Sequence, residues 1–208
     1  MEKTITGIEI QKHNPNRLNV YLDDEFAFGV SRFVGAWLES GKKLSQDQVK
    51  RLVSQDACEK ALQKALRFIN YRRRTVHEVQ EKLEDQGFSG AVIDDVLSEL
   101  CEKRYLDDLQ FAIDWVDSRS HSKPRGRKML AYELRKKHVA QESIDQALEN
   151  APTDTELAHR LGEKYLRRFK HLDKKTFTKK MKGIFARRAF PFSVINQEIE
   201  ALIKIKNK

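Results

Sequence analysis

The side chains best suited to chemistry in this sequence are cations, and they come in three runs. Arg72, Arg73 and Arg74 stand together in "YRRRTVHEV", Lys123, Arg125, Arg127 and Lys128 form "KPRGRK", and Lys174, Lys175, Lys179 and Lys180 lie in "KKTFTKKMK". A step of 51 residues from positions 72–74 reaches 123–125, and a second step of 51 reaches 174–176. Guanidinium and ammonium groups form charge-assisted hydrogen bonds with phosphate or carboxylate, so matched runs would make a discontinuous basic stripe for an anionic surface. A plainer role competes with that one. Cations just past a helix C-terminus complement its dipole by about 0.3–1 kcal/mol each and keep a loop hydrated. One run alone would favour the plainer role, whereas three at a fixed spacing favour the stripe.

Other chemistries find no constellation. The histidines, His13, His77, His121, His138, His159 and His171, are scattered without an H-E-x-x-H pattern, and no glycine-rich phosphate loop occurs. Cys58 and Cys101 lie far apart with no C-x-x-C and no histidine at ligand spacing, so they read as small core residues rather than a zinc or redox site. Asp94 with Asp95 reads as a solvated helix face, and Asp107 with Asp108 as a helix N-cap, in preference to acid/base pairs. Neither catalytic residue, cofactor nor metal is expected. Trp37, Trp115, Tyr71 and Tyr165 sit on or beside apolar periodic positions and read as core, which leaves little for stacking on nucleic-acid bases.

The elements that must position the cations divide into two kinds. Between residues 4 and 31, Ile8, Ile10, Leu18, Val20, Leu22, Phe26, Phe28 and Val30 follow a period of two, interrupted by "HNPN" at 13–16 and "DDE" at 23–25. This predicts a three-stranded antiparallel meander with one apolar face. Such a sheet is marginal alone, and "RFVGAWLES" is the candidate cover. Gly41 closes that segment, and Ser45 with Gln48 forms a capping box that opens a long helix.

Beyond it the chain repeats. Val79, Leu83, Phe88, Ile93 and Leu97 recur 51 residues later as Leu130, Leu134, Val139, Ile144 and Leu148, and again as Met181, Phe185, Phe190, Ile195 and Ile199. Ahead of each set, Ala61, Leu62, Ala65, Leu66 and Ile69 recur at a spacing of 50 as Phe111, Ala112, Trp115, Val116 and Arg119, then as Leu161, Gly162, Tyr165, Leu166 and Phe169. Steps of four keep side chains on one helical stripe, and a step of five carries the stripe round a turn. Each unit is therefore helix, basic loop, helix, short turn, helix. Thr75 with Glu78 and Thr153 with Glu156 read as capping boxes, Ser89 as an N-cap, and Pro191 as a first-turn proline. The expected architecture is mainly α with a small β-meander, α+β overall, divided as 1–45, 46–106, 107–152 and 153–208. The three tandem three-helix repeats would follow one another as an elongated curved ribbon.

Charge is uneven along this architecture. The net +9 resolves into +1 for residues 1–55, −3 for 56–108, +2 for 109–152 and +9 for 153–208. So polarised a chain is drawn toward nucleic acid, an acidic membrane surface or an acidic protein. A helix-turn-helix docking in the major groove is opposed by the acids of the third helices, among them Asp94, Asp95, Glu99 and Glu102 in the first unit and Glu198 and Glu200 in the last. The start, "MEKTITGIEI", lacks the pattern of a secretory signal, and no run approaches the roughly 18 apolar residues of a membrane span. A cytoplasmic monomer without a membrane partner is expected.

At "EKRYLDDLQFAIDWVDSR" (102–119), preceded by "YRRRTVHEVQEKLEDQGFSGAVIDDVLSEL" and followed by "GRKMLAYELRKKHVAQESIDQALEN", the sequence resembles the RecX family, bacterial regulators of the RecA recombinase. The likeness covers nearly the whole chain, and "ITGIEIQKHNPNRLNVYLDDEFAFGV" is similar to the β-hairpin extension of a subset of that family. The resemblance implies repeats that lie in the groove of the RecA filament on single-stranded DNA and hinder ATP turnover, strand exchange and the repressor cleavage of the SOS response. It also implies faster filament disassembly or limited growth. Contact with single-stranded DNA would be weak or made through RecA. By the same resemblance Tyr105 packs at the joint between the first two repeats, Asp107 or Asp108 caps the next helix, Phe111, Ala112 and Trp115 form a core face, and Arg73, Glu78 and Leu83 fit the first-repeat pattern. The alternative is a helical repeat protein that binds nucleic acid without RecA.

One departure bears on geometry. The family places glycine at the turn between second and third helices, as Gly87 does here, whereas His138 and Ala189 occupy the equivalent places. A residue with a β-carbon costs on the order of 1 kcal/mol in the left-handed conformation of such a turn, so either those turns differ or the repeats pivot differently.

Overall fold

The computed structural model describes residues 2–206. They form two compact units: residues 2–73 with 78–106, and residues 107–206 with 74–77.

The first unit opens with strands β1 (Glu2–Gln11), β2 (Asn14–Leu22), β3 (Glu25–Ser31) and β4 (Lys43–Ser45), antiparallel in the order β3-β2-β1-β4. The meander expected from alternation is present. The short fourth strand, on Glu2–Thr4, is additional and was too brief to carry a pattern. Asp23 and Asp24, with φ of 48° and 68°, make the two-residue turn whose handedness suits a twisted hairpin. The first turn is tighter than "HNPN" suggested: Lys12 and His13 make it, and Asn14 to Asn16 already belong to β2. Ile5, Val20, Leu22, Phe28 and Val30 face inward, while Ile10 and Phe26 remain more than half exposed near the strand ends.

The cover comes from Leu38, Leu44 and the beginning of helix α1 (Gln46–Tyr71), through Val49 and Leu52. The Ser45–Gln48 capping box starts that helix. A buried charge ties sheet to helix. Asp56 accepts two hydrogen bonds from Arg17 at 3.0 Å, one from the Ser31 N–H at 2.7 Å, and pairs with Lys60 at 2.7 Å. Burial by itself would push the Asp56 carboxyl up, but Arg17, Lys60 and the Ser31 N–H together hold it below the usual carboxylate range. Helices α2 (Val76–Glu84) and α3 (Gly90–Glu102) complete the first triplet. Ser89 occupies the N-cap of α3 without a side-chain hydrogen bond.

Two more triplets follow: α4 (Asp108–Ser122), α5 (Arg127–Arg135) and α6 (Gln141–Glu149), then α7 (Asp154–Phe169), α8 (Lys174–Ala186) and α9 (Phe192–Lys206). The fold is three tandem three-helix repeats behind a small sheet. Of the positions that recur every 51 residues, all are buried except the half-buried Phe88. In the second unit they merge into one core with Phe111, Leu157, Phe177 and Leu202. The Thr153–Glu156 capping box starts α7, and Pro191 stands one residue ahead of α9, its carbonyl accepting from the Ile195 N–H at 3.0 Å.

The turns resolve the departure from glycine. His138 and Ala189 have φ of 59° and 56°, in the same left-handed region as Gly87 at 79°. Each turn also has the same two closing bonds. Phe88, Val139 and Phe190 donate back to Leu83, Leu134 and Phe185 at 3.2–3.3 Å, and the left-handed residue donates to the carbonyl three positions earlier at 2.8–2.9 Å. This is a Schellman motif three times over, with the accompanying apolar contact shown by the edge-to-face packing of Phe185 and Phe190 at 5.6 Å. Geometry is kept, and the strain of a β-carbon is carried at two of the three sites.

Two further locks recur in the second unit. The Asp108 carboxylate accepts from the first N–H of α2, Val76, at 2.9 Å, and Asp154 accepts from the first N–H of α5, Arg127, at 2.7 Å. Gly126 N–H donates to the Arg188 carbonyl at 2.8 Å, and a β-carbon on Gly126 would lie 2.4 Å from the Ala189 oxygen. Only glycine fits there.

Several expected core residues lie outside it. Tyr71, the last residue of α1, is 87% exposed, Tyr105, in the link after α3, 56%, and Trp37, in the turn segment after β3, 43%. Cys101 is exposed on α3 and Cys58 only half-buried.

Candidate functional site

Arg72 ends α1 in an extended conformation, and its guanidinium bonds both oxygens of Glu78, at 3.2 and 3.3 Å, and the Arg73 carbonyl at 3.0 Å. Arg73 lines an open groove of about 610 Å³ with Arg67, Arg104 and Tyr105, while Arg74 is half-buried. The first run therefore serves local structure at Arg72 and borders a basic groove at Arg73.

The second run is drawn further inward. Arg125 pairs with Glu133, and burial, with Arg119 and Arg188 nearby, pushes its guanidinium pKa down. Glu133 also holds Arg119 at 3.4 Å and accepts from the Trp115 indole N–H at 3.0 Å. Trp115 stacks on Phe111 with ring centres 5.8 Å apart, and the Arg119 guanidinium lies 4.3 Å from its ring centre. Arg127 donates to the carbonyls of Leu148 and Ala151, at 2.6 and 3.2 Å, and so neutralises the end of α6. Lys123 and Lys128 are exposed. For Arg127 the capping role is the one the geometry supports.

The third run differs in conformation. "KKTFTKKMK" is the opening of α8, not a loop, and Asp173 caps it by accepting from the Thr176 N–H at 3.0 Å. The helix splits the run between two faces: Lys174 borders one groove with Lys182, Glu200 and Lys204, and Lys175, Lys179 and Lys180 border another.

That second groove, of about 800 Å³, is strongly basic. Arg168 from the end of α7 and Arg187 from the end of α8 join the three lysines, and no carboxylate lines it. Phe169 contributes an aromatic surface, with the Lys180 ammonium 5.2 Å and the Arg168 guanidinium 5.7 Å from its ring centre. Tyr165 stacks on Phe169 at 5.7 Å and is held by a 3.2 Å bond from Arg188 to its hydroxyl, which lowers the hydroxyl's pKa. Arg168, Arg187 and Phe169 were missed from sequence. The readable signal was the four-residue step Lys175, Lys179, Gly183, Arg187, which puts cations on one helical face.

Opposite the basic groove in character is a buried acid. Glu198 of α9 is 5% exposed, accepts from or pairs with His159 Nδ1 at 3.2 Å, and burial raises its carboxyl pKa against the lowering effect of His159. Gly162 makes room for it, since a β-carbon there would meet Glu198 Oε1 at 2.6 Å. Of the repeat-junction residues, Asp107 caps α4 through the Gln110 N–H at 2.9 Å, Asp108 caps α2, and Phe111 is core, whereas Tyr105 borders the first-run groove. No cluster of three or more His, Cys, Asp or Glu side chains among the described residues is arranged to hold a metal ion. Nor is any described helix long and apolar enough to cross a membrane.

Comparison with known proteins fits this arrangement of sheet and helical triplets. Residues 3–45 match the regulatory protein RecX N-terminal domain, 61–100 the first RecX three-helix domain and 107–148 the second. Regulatory protein RecX of Bacillus licheniformis is 32% identical over 94% of this chain and 76% of its own length, and that of Bacillus subtilis 31% over 95% and 76%. The chain belongs to the RecX family. A crystal structure of regulatory protein RecX superposes with a TM-score of 0.72 at 26% identity, covering 95% of this chain and 99% of its own. RecX from Lactobacillus salivarius shares the fold, with a TM-score of 0.63 over 72% of this chain. The two Bacillus relatives and the first of these structures are named as regulatory proteins.

Proposed function

We propose that this chain regulates the RecA recombinase, chiefly as a negative modulator, by occupying the groove of the RecA filament on single-stranded DNA. It acts there by binding and not by catalysis, in the cytoplasm, as a monomer. Membership of the RecX family along nearly the whole chain carries this reading. Two physical features support it. A tandem series of similar three-helix repeats suits a periodic target, and a run of cations in each repeat suits a target built of acidic protein and phosphate. Arg73, Lys123, Lys128, Lys174, Lys175, Lys179 and Lys180 are the proposed contacts, with Arg74 in support. Arg72 and Arg125 are engaged with the carboxylates of Glu78 and Glu133, and Arg127 with the carbonyls at the end of α6.

Occupying the groove would disfavour the transitions that the filament makes during ATP turnover, strand exchange and repressor cleavage. The test adds stoichiometric excess of the chain to preformed RecA filaments on single-stranded DNA. ATP hydrolysis and strand exchange are expected to fall together; unchanged rates would sink the proposal.

A further inference from the structure

A surface of opposite charge in the first unit points to a second kind of partner. We infer that the trough between α1 and α3 is a docking site for a cationic, amphipathic helical segment of another protein. This goes beyond the regulatory reading, whose contacts are cations, and stands without it.

Glu59 lines one wall of the trough, from α1, and Asp95 and Glu99 line the other, from α3; its volume is about 460 Å³ and no cation lines it. Lys103, outside the lining, bonds Glu99 at 2.5 Å, which leaves Glu59 and Asp95 as the charges to be met. The Cys58 thiol lies within bonding reach of Asp95, at 3.9 Å, and feels the same field. Burial, then the charges of Asp95 and Glu99, push its pKa up, so it stays protonated and neutral at neutral pH. The chain as a whole carries +9, so a cationic segment is repelled by much of the surface and attracted here.

Apolar side chains supply the other half of the site. Leu62 and Val34 are half-buried in the trough, and Phe33 beside them is 81% exposed. The turn that carries Phe33 is fixed, because the Val34 N–H donates to Ser31 Oγ at 3.1 Å and the Gly35 N–H to the Ser31 carbonyl at 2.9 Å. An aromatic ring on a fixed turn is a preformed anchor, which meets a partner without the cost of ordering its own backbone. Large apolar side chains rimmed by charge mark a protein partner. The partner's side must offer a leucine-like side chain next to a lysine or arginine.

The rows of side chains choose a helix among such segments. Ser54, Cys58 and Leu62 on α1, and Asp95 and Glu99 on α3, each advance in steps of four, about 6 Å along the helix axis. A groove between two such rows receives the i, i+4 ridge of a third helix, whose cations one turn apart match the rise.

The test is fluorescence anisotropy of a labelled peptide of four Leu-Lys-Ala-Ala repeats with the full chain and no RecA. Glu59→Lys with Asp95→Lys should weaken binding at least about tenfold and reduce its salt dependence. Phe33→Ser should weaken it about tenfold with the salt dependence kept. Glu84→Lys with Asp85→Lys, exposed at the end of α2, makes the same change of net charge and should alter binding less than about twofold. Thermal melts verify that each variant is folded. Equal binding by wild type and the Glu59, Asp95 variant would overturn the proposal. So would equal binding of a peptide with serine in place of leucine, which would mean that the trough reads charge alone, or of one interrupted by proline, which would remove the need for a helix. A concentration-dependent dimer abolished by Phe33→Ser would also overturn it, since the occupant would then be a second copy of the chain. Each of these outcomes leaves the RecA ATPase test untouched, so the two readings fail separately.

Discussion

Asp56 and Glu198 are both buried carboxyl groups, and their partners give them opposite pH behaviour. Asp56 is held ionised by Arg17, Lys60 and the Ser31 N–H, so its folded pKa lies below its unfolded one. Its stabilisation is present above the ordinary carboxylate range and is lost as pH falls toward the depressed value. Asp56→Asn leaves the Arg17 guanidinium, itself mostly buried, without its counter-charge, and is expected to cost about 3 kcal/mol in urea unfolding at neutral pH. Glu198 is the reverse case. Burial raises its folded pKa, so the folded state binds a proton more tightly than the unfolded chain and loses stability as pH rises through that interval. Glu198→Gln, which keeps the shape beside Gly162, is expected to melt higher than wild type at pH 8 and to remove that loss. Thermal melts from pH 4 to 8 would check it, and a lower melting point for the variant at pH 8 would count against the sign.

At the scale of elements, the repeated Schellman turns make the most specific claim. Ala189 adopts a left-handed conformation that costs a residue with a β-carbon about 1 kcal/mol, so Ala189→Gly is expected to stabilise by up to about that amount. His138→Gly should gain less, because the His138 ring packs on His77 with centres 3.6 Å apart. Gly126→Ala should destabilise by about 2 kcal/mol, since the added carbon meets the Ala189 carbonyl. Equilibrium unfolding of the three variants separates these. The triplets themselves were legible in sequence because burial repeats: the same stripe of Leu130, Leu134, Ile144 and Leu148 returns as Met181, Phe185, Ile195 and Ile199. Arg17 with Asp56 and His159 with Glu198 were not, because each pair is 39 residues apart and belongs to no period. The helical state of "KKTFTKKMK" was hidden for another reason. Lysines at a helix start oppose the dipole, and the Asp173 cap that offsets them looks from sequence like any loop aspartate. The same helix shows why matched runs in sequence do not give matched sites: it turns Lys174 away from Lys175, and adds Arg187 from a distance of three turns.

For the whole molecule, the decisive property is the imbalance of charge along the chain, −3 in residues 56–108 against +9 in residues 153–208. If the cationic runs all contribute to holding an anionic partner, they do so unequally, since the first run sits among twelve carboxylates and spends Arg72 on one of them. The third sits among six and presents its lysines unpaired with acid in the basic groove. Replacing Lys175, Lys179 and Lys180 with alanine is therefore expected to raise the concentration needed for half-inhibition of the RecA ATPase at least about tenfold, or about 1.4 kcal/mol. Replacing Arg73 with alanine should raise it only about twofold. The difference should shrink as salt is raised from 50 to 200 mM, because screening removes the larger electrostatic contribution first. Equal effects from the two variants at low salt would mean that the partner reads the repeats alike and that the imbalance of charge has no part in binding.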